Sequence, residues 1–338
     1  MKIYAAVEDP TMPLASVPEY ARRVERIGFT GLLVPEAVHD GFLMSMLALE
    51  HTSALQVATS VLLAFPRSPT TTAYAAWDLQ SMSGGRFGLG LGSQVRANIE
   101  RRFGAPFDPP VSRMRDYVEA LRAIWSCWQT GEKLAYESKT YQLDLMQPFF
   151  DPGPLEHPDI PIYLGGVGPA MLRLAGEVAD GLMTHPTNTS PRYLRELVAP
   201  AIAEGAKRTE RAPCPILAST FVATGADAET VEKERTRIRQ FLGFLYSTPQ
   251  YRRTLDLHGW GDVGTRLHQL SREGRWDAMT EAITDEIFDA LVPSGTYDEI
   301  ADVVTEWYGD LAVAITLRMP ENAADDPALT TLVEELQS

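Results

Sequence analysis

Short apolar runs of β-forming residues alternate with longer segments of helical periodicity along most of the chain. Apolar strands separated by helices are typical of a parallel sheet that helices cover on its outside. Eight strand candidates, each followed by a helical segment, predict a (β/α)8 barrel, the TIM-barrel fold, whose functional sites lie on the loops after the strands. A doubly wound sheet is the alternative, because periodicity does not reveal strand order. The candidates are residues 3–7, 31–34, 55–64, 86–92, 161–166, 181–183, 214–223 and 311–317.

Three segments do not follow this alternation of strands and helices. Residues 94–110 are rich in Arg, Phe and Pro and are predicted to form a long functional loop. Residues 131–161 form an excursion with several prolines and aromatic residues. Residues 227–307 have a helical pattern longer than one crossover needs, so we expect a mostly helical insertion between strands 7 and 8. The whole chain, 1–338, is therefore expected to be a single barrel domain.

Composition and charge narrow the class of partner. The 338 residues carry 30 Lys and Arg against 45 Asp and Glu, a formal net charge of −15. So acidic a protein lacks the basic surface that nucleic acids and anionic membranes require. A small-molecule substrate is the expected partner.

The sequence also indicates the expected compartment. Two cysteines exclude a disulfide framework and any zinc-finger spacing. The N-terminus carries acidic residues by position 8 and lacks the apolar stretch of a signal peptide. The longest uncharged run, residues 51–66, is too short and too polar to span a bilayer. A cytoplasmic protein is expected.

A glycine-rich string occupies residues 84–93, with the sequence GGRFGLGLGS. A dinucleotide-binding fingerprint fails on spacing, because after Gly88 and Gly90 the third glycine position falls on Ser93. The glycines also lie inside a predicted strand rather than at the start of a helix. The alternative is a barrel strand whose small residues leave room for a flat ligand.

A second glycine cluster, in residues 162–171, follows a strand directly and leads into a helix with Pro169 near its first position. Free backbone N–H groups at such a helix start form an anion site, which predicts phosphate binding. The alternative is a tight turn that merely needs glycine.

Ionisable residues cluster after several predicted strands. In a barrel they converge on one mouth, where such groups transfer protons. Glu8 or Glu36 could instead cap a helix, and His39 and Asp40 could be an ordinary capping pair. No metal site is expected, because His39, Asp40 and His51 lack metalloprotease spacing. The clustered residues are Glu8, Glu36, His39, Asp40 and His185.

Three ordered motifs resemble the luciferase-like monooxygenase superfamily. They are TSVLL at residues 59–63 with RSP at 67–69, LQSMSGGRFGLGLGS at 79–93, and PIYLGGVGP at 161–169 with AGEVADG at 175–181. Residues 36–42 and 257–262 look most like the branch that uses coenzyme F420, a deazaflavin, rather than FMN. The resemblance implies a (β/α)8 barrel that holds the cofactor in its mouth, and a homodimer.

The resemblance also implies roles for individual residues. A bulge with a non-prolyl cis peptide backs the cofactor ring at the end of strand 3, which corresponds to Ser60–Val61. Leu63 stands where related enzymes have a polar cofactor contact, and Glu8 corresponds to a carboxylate near the ring. Further cofactor contacts are implied at Asn98, Gly166, Val167, Gly168, Ala170 and Thr184.

Departures from the family pattern bear on the substrate. Sugar-phosphate dehydrogenases of the F420 branch have an Asp-His pair and a glutamate where this chain has Glu36-Ala37 and Val95. Their phosphate-binding lysines have no counterpart in residues 184–190. An apolar or weakly polar substrate is therefore expected, with His39 and Asp40 as replacements for the missing acid.

Three functions follow as hypotheses. The first is an F420-dependent oxidoreductase that transfers a hydride to or from an organic substrate. The second is an FMN-dependent monooxygenase that uses oxygen, and the third is a non-catalytic flavin- or deazaflavin-binding barrel. In the insertion, His258 and Trp260 form part of a lid or fill a helix junction.

Overall fold

The computed structural model describes residues 1–338 and contains a closed barrel of eight parallel strands. Strand β3 consists of two pieces, because the backbone bulges between them. The strands are β1 (Lys2–Ala6), β2 (Gly31–Val34), β3 (Gln56–Thr59 and Leu62–Leu63), β4 (Phe87–Gly92), β5 (Ile162–Gly165), β6 (Gly181–Met183), β7 (Ile216–Ala218) and β8 (Ala314–Leu317).

The pairing of the strands settles the architecture. Strand β1 pairs with both β2 and β8, while β3 pairs with both β2 and β4, so the sheet has no free edge. A doubly wound sheet would leave two edges open. The barrel prediction is confirmed, and the alternative is wrong.

Helices cover the outside of the barrel and begin and end at recognisable residues. Asp40 caps α2, and Ser68 caps α3. Gly28 and Gly84 end α1 and α3 with positive φ angles of 96° and 63°. The helices before the insertion are α1 (Val17–Ile27), α2 (Gly41–Glu50), α3 (Pro69–Ser83), α4 (Arg96–Arg101), α5 (Pro110–Thr130), α6 (Pro169–Val178), α7 (Pro191–Tyr193), which continues through a π-helical turn (Leu194–Val198), and α8 (Ala199–Arg208).

The barrel interior is filled by side chains rather than open. Tyr4, Leu33, Ala58, Met183 and Leu217 form an inner cluster with Ala314. A larger core of 67 buried residues lies mainly between the strands and the surrounding helices. Space for a ligand is therefore expected at the mouth of the barrel, where the strands end.

The segment between β7 and β8 has its own core of 14 buried residues. The chain leaves and returns through two short paired strands, Ala223–Gly225 and Ser294–Thr296. The helices between them are α9 (Ala228–Tyr246), α10 (Arg253–His258), α11 (Gly261–Glu273), α12 (Trp276–Ala282) and α13 (Asp285–Leu291). The next helix, α14 (Ile300–Tyr308), packs into the main core, as does the last helix, α15 (Asp326–Gln337).

Two other segments differ from simple loops. The stretch predicted as a long loop after β4 contains α4. The excursion carries two short antiparallel strands, Tyr136–Glu137 and Gln142–Leu143, and its Gly153 carbonyl accepts a hydrogen bond from Trp77 of α3. No helix is both long enough and apolar enough to cross a membrane.

Candidate active site

A non-prolyl cis peptide joins Ser60 to Val61 between the two pieces of β3, which confirms the prediction of a cis bond here. Neighbouring glycines make room for this bulge. A Cβ on Gly92 would lie 2.4 Å from Val61 Cγ2, and one on Gly165 would lie 3.1 Å from Val61 Cγ1. A Cβ on Gly90 would lie 1.9 Å from the Thr59 carbonyl oxygen. Gly90 and Gly92 therefore make room for strand β3 itself, and not for a ligand.

Glu36 and Asp40, which follow β2, are brought together by Arg67. The Glu36 carboxylate accepts hydrogen bonds from the Leu63 backbone N–H at 2.7 Å and from Arg67 Nη1 at 3.0 Å. Asp40 accepts from Arg67 Nη2 at 2.6 Å and caps α2 through the N–H of Phe42. Burial alone would lower the pKa of Arg67, but its bonds to the two carboxylates outweigh this and raise that pKa.

His39 lies between these two carboxylates in sequence but makes no side-chain hydrogen bond within the protein. Its side chain is partly exposed. Of the two residues predicted as a capping pair, Asp40 caps helix α2 and His39 does not. The cluster predicted after β2 consists of two carboxylates fixed by an arginine, with a histidine beside them.

Glu8 lies in a different ionic network, at the ends of β1 and β8. Its carboxylate accepts a 3.0 Å hydrogen bond from Arg318 Nε and lies 3.3 Å from Arg237 Nη1 of α9. Arg318 and Arg237 both also contact Glu234 of α9. Glu8 therefore connects the barrel to the insertion, and it does not join Glu36 and Asp40 in one cluster.

The turn between β5 and α6 presents unused backbone donors. The N–H groups of Gly166, Val167, Gly168 and Ala170 donate to no protein acceptor, and no side chain caps α6. A Cβ on Gly168 would meet no atom within 4 Å, so the space beside the turn is open. The Tyr193 hydroxyl donates to the Val167 carbonyl at 3.2 Å and supports the turn. Such a set of donors at a helix start fits a phosphate group.

The remaining predicted cofactor contacts are distributed around the mouth. Leu63 is buried, and its backbone N–H is engaged by Glu36. Asn98 is half-buried in α4. Arg102, just after α4, donates to the Ala37 carbonyl at 2.8 Å, which ties this segment to the loop after β2. Thr184 is buried and accepts a hydrogen bond from the Ser219 N–H.

The loop after β6 is the docking point of the insertion. The His185 ring stacks on Tyr251 with 4.2 Å between ring centroids, and burial lowers the pKa of His185 to about 4. Tyr246 and Thr254, from α9 and α10, both donate to the Thr187 carbonyl. Because burial lowers its pKa, His185 is neutral near pH 7.

The segment with His258 and Trp260 lies next to this loop. The two rings stack with 4.9 Å between centroids, and His258 Nε2 lies 3.4 Å from Ser190 Oγ. Trp260 packs partly buried against the insertion core. This packing agrees with the helix-junction interpretation of Trp260, while His258 is the residue that contacts the barrel loop.

The roles of Arg67, Arg318 and Arg237 are not predicted from the sequence. Arg67 entered only as part of a family motif, although it is a lone basic residue a few positions after β3. Arg318 likewise follows β8 directly. For Arg67 and Arg318, the available signal was a lone arginine just after a barrel strand. Their partners Glu36 and Glu8 lie 31 and 310 positions away, too far for the sequence to identify them.

Comparison with known proteins agrees with this architecture. The family model for luciferase-like monooxygenases matches residues 2–314. A Mycobacterium tuberculosis protein described as uncharacterized is 44% identical over 290 residues, 85% of each chain. A putative coenzyme F420-dependent oxidoreductase of the same organism is 29% identical over 302 residues, covering 82% of this chain and 83% of the relative. The 5,10-methylenetetrahydromethanopterin reductase of Archaeoglobus fulgidus is 27% identical over 309 residues, covering 88% and 87%.

Solved structures share the fold. The coenzyme F420-dependent tetrahydromethanopterin reductase of Methanopyrus kandleri superposes with a TM-score of 0.80 at 20% identity, covering 100% of this chain and 98% of that one. The oxygenating constituent of a Pseudomonas putida Baeyer–Villiger monooxygenase, in complex with FMN, has a TM-score of 0.68 at 16% identity, covering 99% and 96%. With its closed barrel and its match over nearly the whole length, the chain belongs to the luciferase-like monooxygenase family.

Proposed function

We propose that this protein is a coenzyme F420-dependent oxidoreductase that acts on an organic, apolar or weakly polar substrate. The observation that carries the proposal is the set of four unused N–H donors between β5 and α6. The F420-dependent relatives reported above support the choice of deazaflavin over FMN. When bound, the cofactor supplies hydride transfer, and the protein supplies binding, orientation and exclusion of water.

The residues divide this work between two parts of the mouth. The N–H groups of Gly166, Val167, Gly168 and Ala170 would hold the phosphate. The Ser60–Val61 bulge would support the ring, and Leu63, Asn98 and Thr184 would supply further contacts. Coenzyme F420 carries a polyglutamate tail. Arg101 and Arg102, with Arg96 nearby, lie on an exposed segment after β4 where they would attract that tail. These local donors oppose the repulsion expected from a protein with a net charge of −15.

The four proposed catalytic residues are not equivalent. Both oxygens of Glu36 are occupied by Arg67, and one also by the Leu63 N–H, so Glu36 acts as a positioning residue for the bulge. Asp40 is occupied by α2 and Arg67. Glu8 is held by Arg318 and Arg237. His39 is left as the group free to exchange a proton with the substrate.

Binding measurements test the choice of cofactor. Purified protein is titrated with F420 and, in parallel, with FMN, and binding is followed through the fluorescence of each cofactor. We expect saturable binding of F420 and much weaker binding of FMN. Tight FMN binding without F420 binding would overturn the proposal in favour of a flavin-dependent monooxygenase. Binding of neither cofactor would favour a barrel that has lost its cofactor.

A further inference from the structure

Helix α9 carries two half-exposed phenylalanines beside the barrel mouth. Phe241 is 48% exposed and Phe244 53% exposed, and their ring centroids lie 6.4 Å apart. Phe241 also packs edge-on against Phe221, with 5.9 Å between centroids. Phe221 comes three residues after the end of β7. We call these three contiguous rings the aromatic wall.

The direction in which the wall faces follows from ion pairs on the same helix. Glu234, Arg237, Phe241 and Phe244 follow one another along α9 at spacings of three, four and three residues, which keeps all four on one flank of the helix. Glu234 contacts Arg318 after β8, and Arg237 contacts Glu8 after β1. The flank that carries the wall therefore faces the ends of the strands.

The two arginines next to the wall are paired with three carboxylates, which leaves this network with a formal charge of −1. Arg318 contacts Glu8, Glu234 and Glu321, and Arg237 contacts Glu8 and Glu234. Every guanidinium nitrogen of the two arginines already faces a carboxylate, so neither offers an unpaired positive charge to a phosphate or carboxylate ligand. This electrostatic arrangement disfavours an anionic ligand.

The exposure of the wall is informative because of where it occurs. A single exposed phenylalanine needs no explanation, but contiguous rings at the mouth of an enzyme barrel mark a binding surface. Aromatic rings prefer to stack on, or meet edge-on, another flat ring. A planar ligand would cover the exposed faces of Phe241 and Phe244 better than a flexible polar one.

We infer that the aromatic wall binds the organic substrate, and that this substrate is an uncharged, planar, largely apolar molecule. The inference rests on the proposed function for the reaction that follows binding. The wall would select against phosphorylated substrates, because it offers apolar surface beside an ionic network of net negative charge instead of free cations.

The test measures binding of 2-naphthol, a planar neutral probe, to the full-length protein by fluorescence, with and without F420. The phosphate ester 2-naphthyl phosphate is the matched anionic probe. The variants are Phe241→Ala and Phe241→Leu, and the control is Phe149→Ala, which removes a 90% exposed phenylalanine from the excursion. Circular dichroism checks folding, and Phe241→Leu keeps the test valid if the alanine variant does not fold.

We expect the Kd for 2-naphthol to rise roughly tenfold in Phe241→Ala, less in Phe241→Leu and not at all in Phe149→Ala. The phosphate ester should bind the wild type more weakly than 2-naphthol. Unchanged affinity in folded Phe241 variants, or tighter binding of the ester, would overturn the inference. If F420 does not bind but the dependence on Phe241 persists, the wall stands and only the proposed function fails.

Discussion

The carboxylate of Glu36 accepts a 2.7 Å hydrogen bond from the backbone N–H of Leu63. This bond joins the loop after β2 to the second piece of β3, directly beside the Ser60–Val61 bulge. Arg67 holds the other side of the same carboxylate, and the Glu36 side chain is only 9% exposed. The shape of the bulge thus depends on an ion pair as well as on the strand that contains it.

We predict that Glu36→Gln reduces both stability and cofactor affinity, although glutamine has nearly the same shape. The substitution leaves the Arg67 guanidinium, which is largely buried, with Asp40 as its sole charged partner. Urea unfolding should show a loss of roughly 2 kcal/mol or more. Glu19→Gln, which removes an exposed carboxylate paired with Arg26, is the control and should unfold like the wild type. Wild-type stability of the Glu36→Gln protein would contradict the proposal that Glu36 positions the bulge.

A charge placed at the start of α6 should reveal whether a phosphate binds there. Ala170 is exposed and its N–H is unused, so a longer side chain fits without repacking. We expect Ala170→Glu to weaken F420 binding by roughly tenfold relative to Ala170→Gln, because only the former repels the phosphate. Fluorescence titration at low and high salt provides the comparison. Equal affinities of the two variants at low salt would place the phosphate elsewhere.

The packing of Val61 predicts a specific stability defect. A Cβ at Gly92 would lie 2.4 Å from Val61 Cγ2, and the β-branched valine has little rotamer freedom to move away. We expect Gly92→Ala to cost roughly 1–3 kcal/mol in thermal or urea unfolding. Gly168→Ala, where a Cβ meets open space, is the control for stability. The double variant Gly92→Ala/Val61→Ala should recover part of the loss, and its failure to do so would show that the two sites are not coupled.

The buried His185 predicts a pH effect on stability. Because burial lowers the pKa of His185 to about 4 in the folded state, the unfolded chain binds the proton more readily between pH 4 and about 6.5. The stability contributed by neutral His185 is complete above about pH 6.5 and is lost as the pH falls toward 4. His185→Phe keeps a ring against Tyr251 but does not titrate. As the pH is lowered across this range, the unfolding free energy of the wild type should therefore fall by up to about 3 kcal/mol relative to that of the variant. A difference that does not change with pH would contradict the prediction.

His39 should matter for turnover and not for folding. The partly exposed side chain makes no hydrogen bond within the protein, so His39→Ala should unfold like the wild type. With an identified substrate and F420, we expect kcat of His39→Ala to fall by roughly a hundredfold. His39→Gln keeps the size and polarity and serves as the matched variant. Unchanged turnover in both variants would contradict this role of His39 and would favour Glu8 or Asp40 as the group that transfers the proton.

The local pattern of the chain determined the elements and the end of the barrel that carries the site. The apolar runs of β1 and β2, the capping residue Asp40 and the glycine turn after β5 are each recognisable from a few consecutive residues. Residues 55–64 were predicted as one strand, however, and only the resemblance indicated the bulge inside it. The glycines that make room for the bulge lie on other strands, β4 and β5.

Tertiary structure decided which residues act together. Closure of the barrel brings Arg67 to Glu36 across 31 positions, and Arg318 to Glu8 across 310. It also lays α9 across the strand ends so that Phe241 meets Phe221. Periodicity reports which face of an element is buried, but it contains no information about which element lies opposite. The sequence therefore determined the barrel and the position of its mouth, whereas the pairing of charges and rings in that mouth depended on the order in which the strands close.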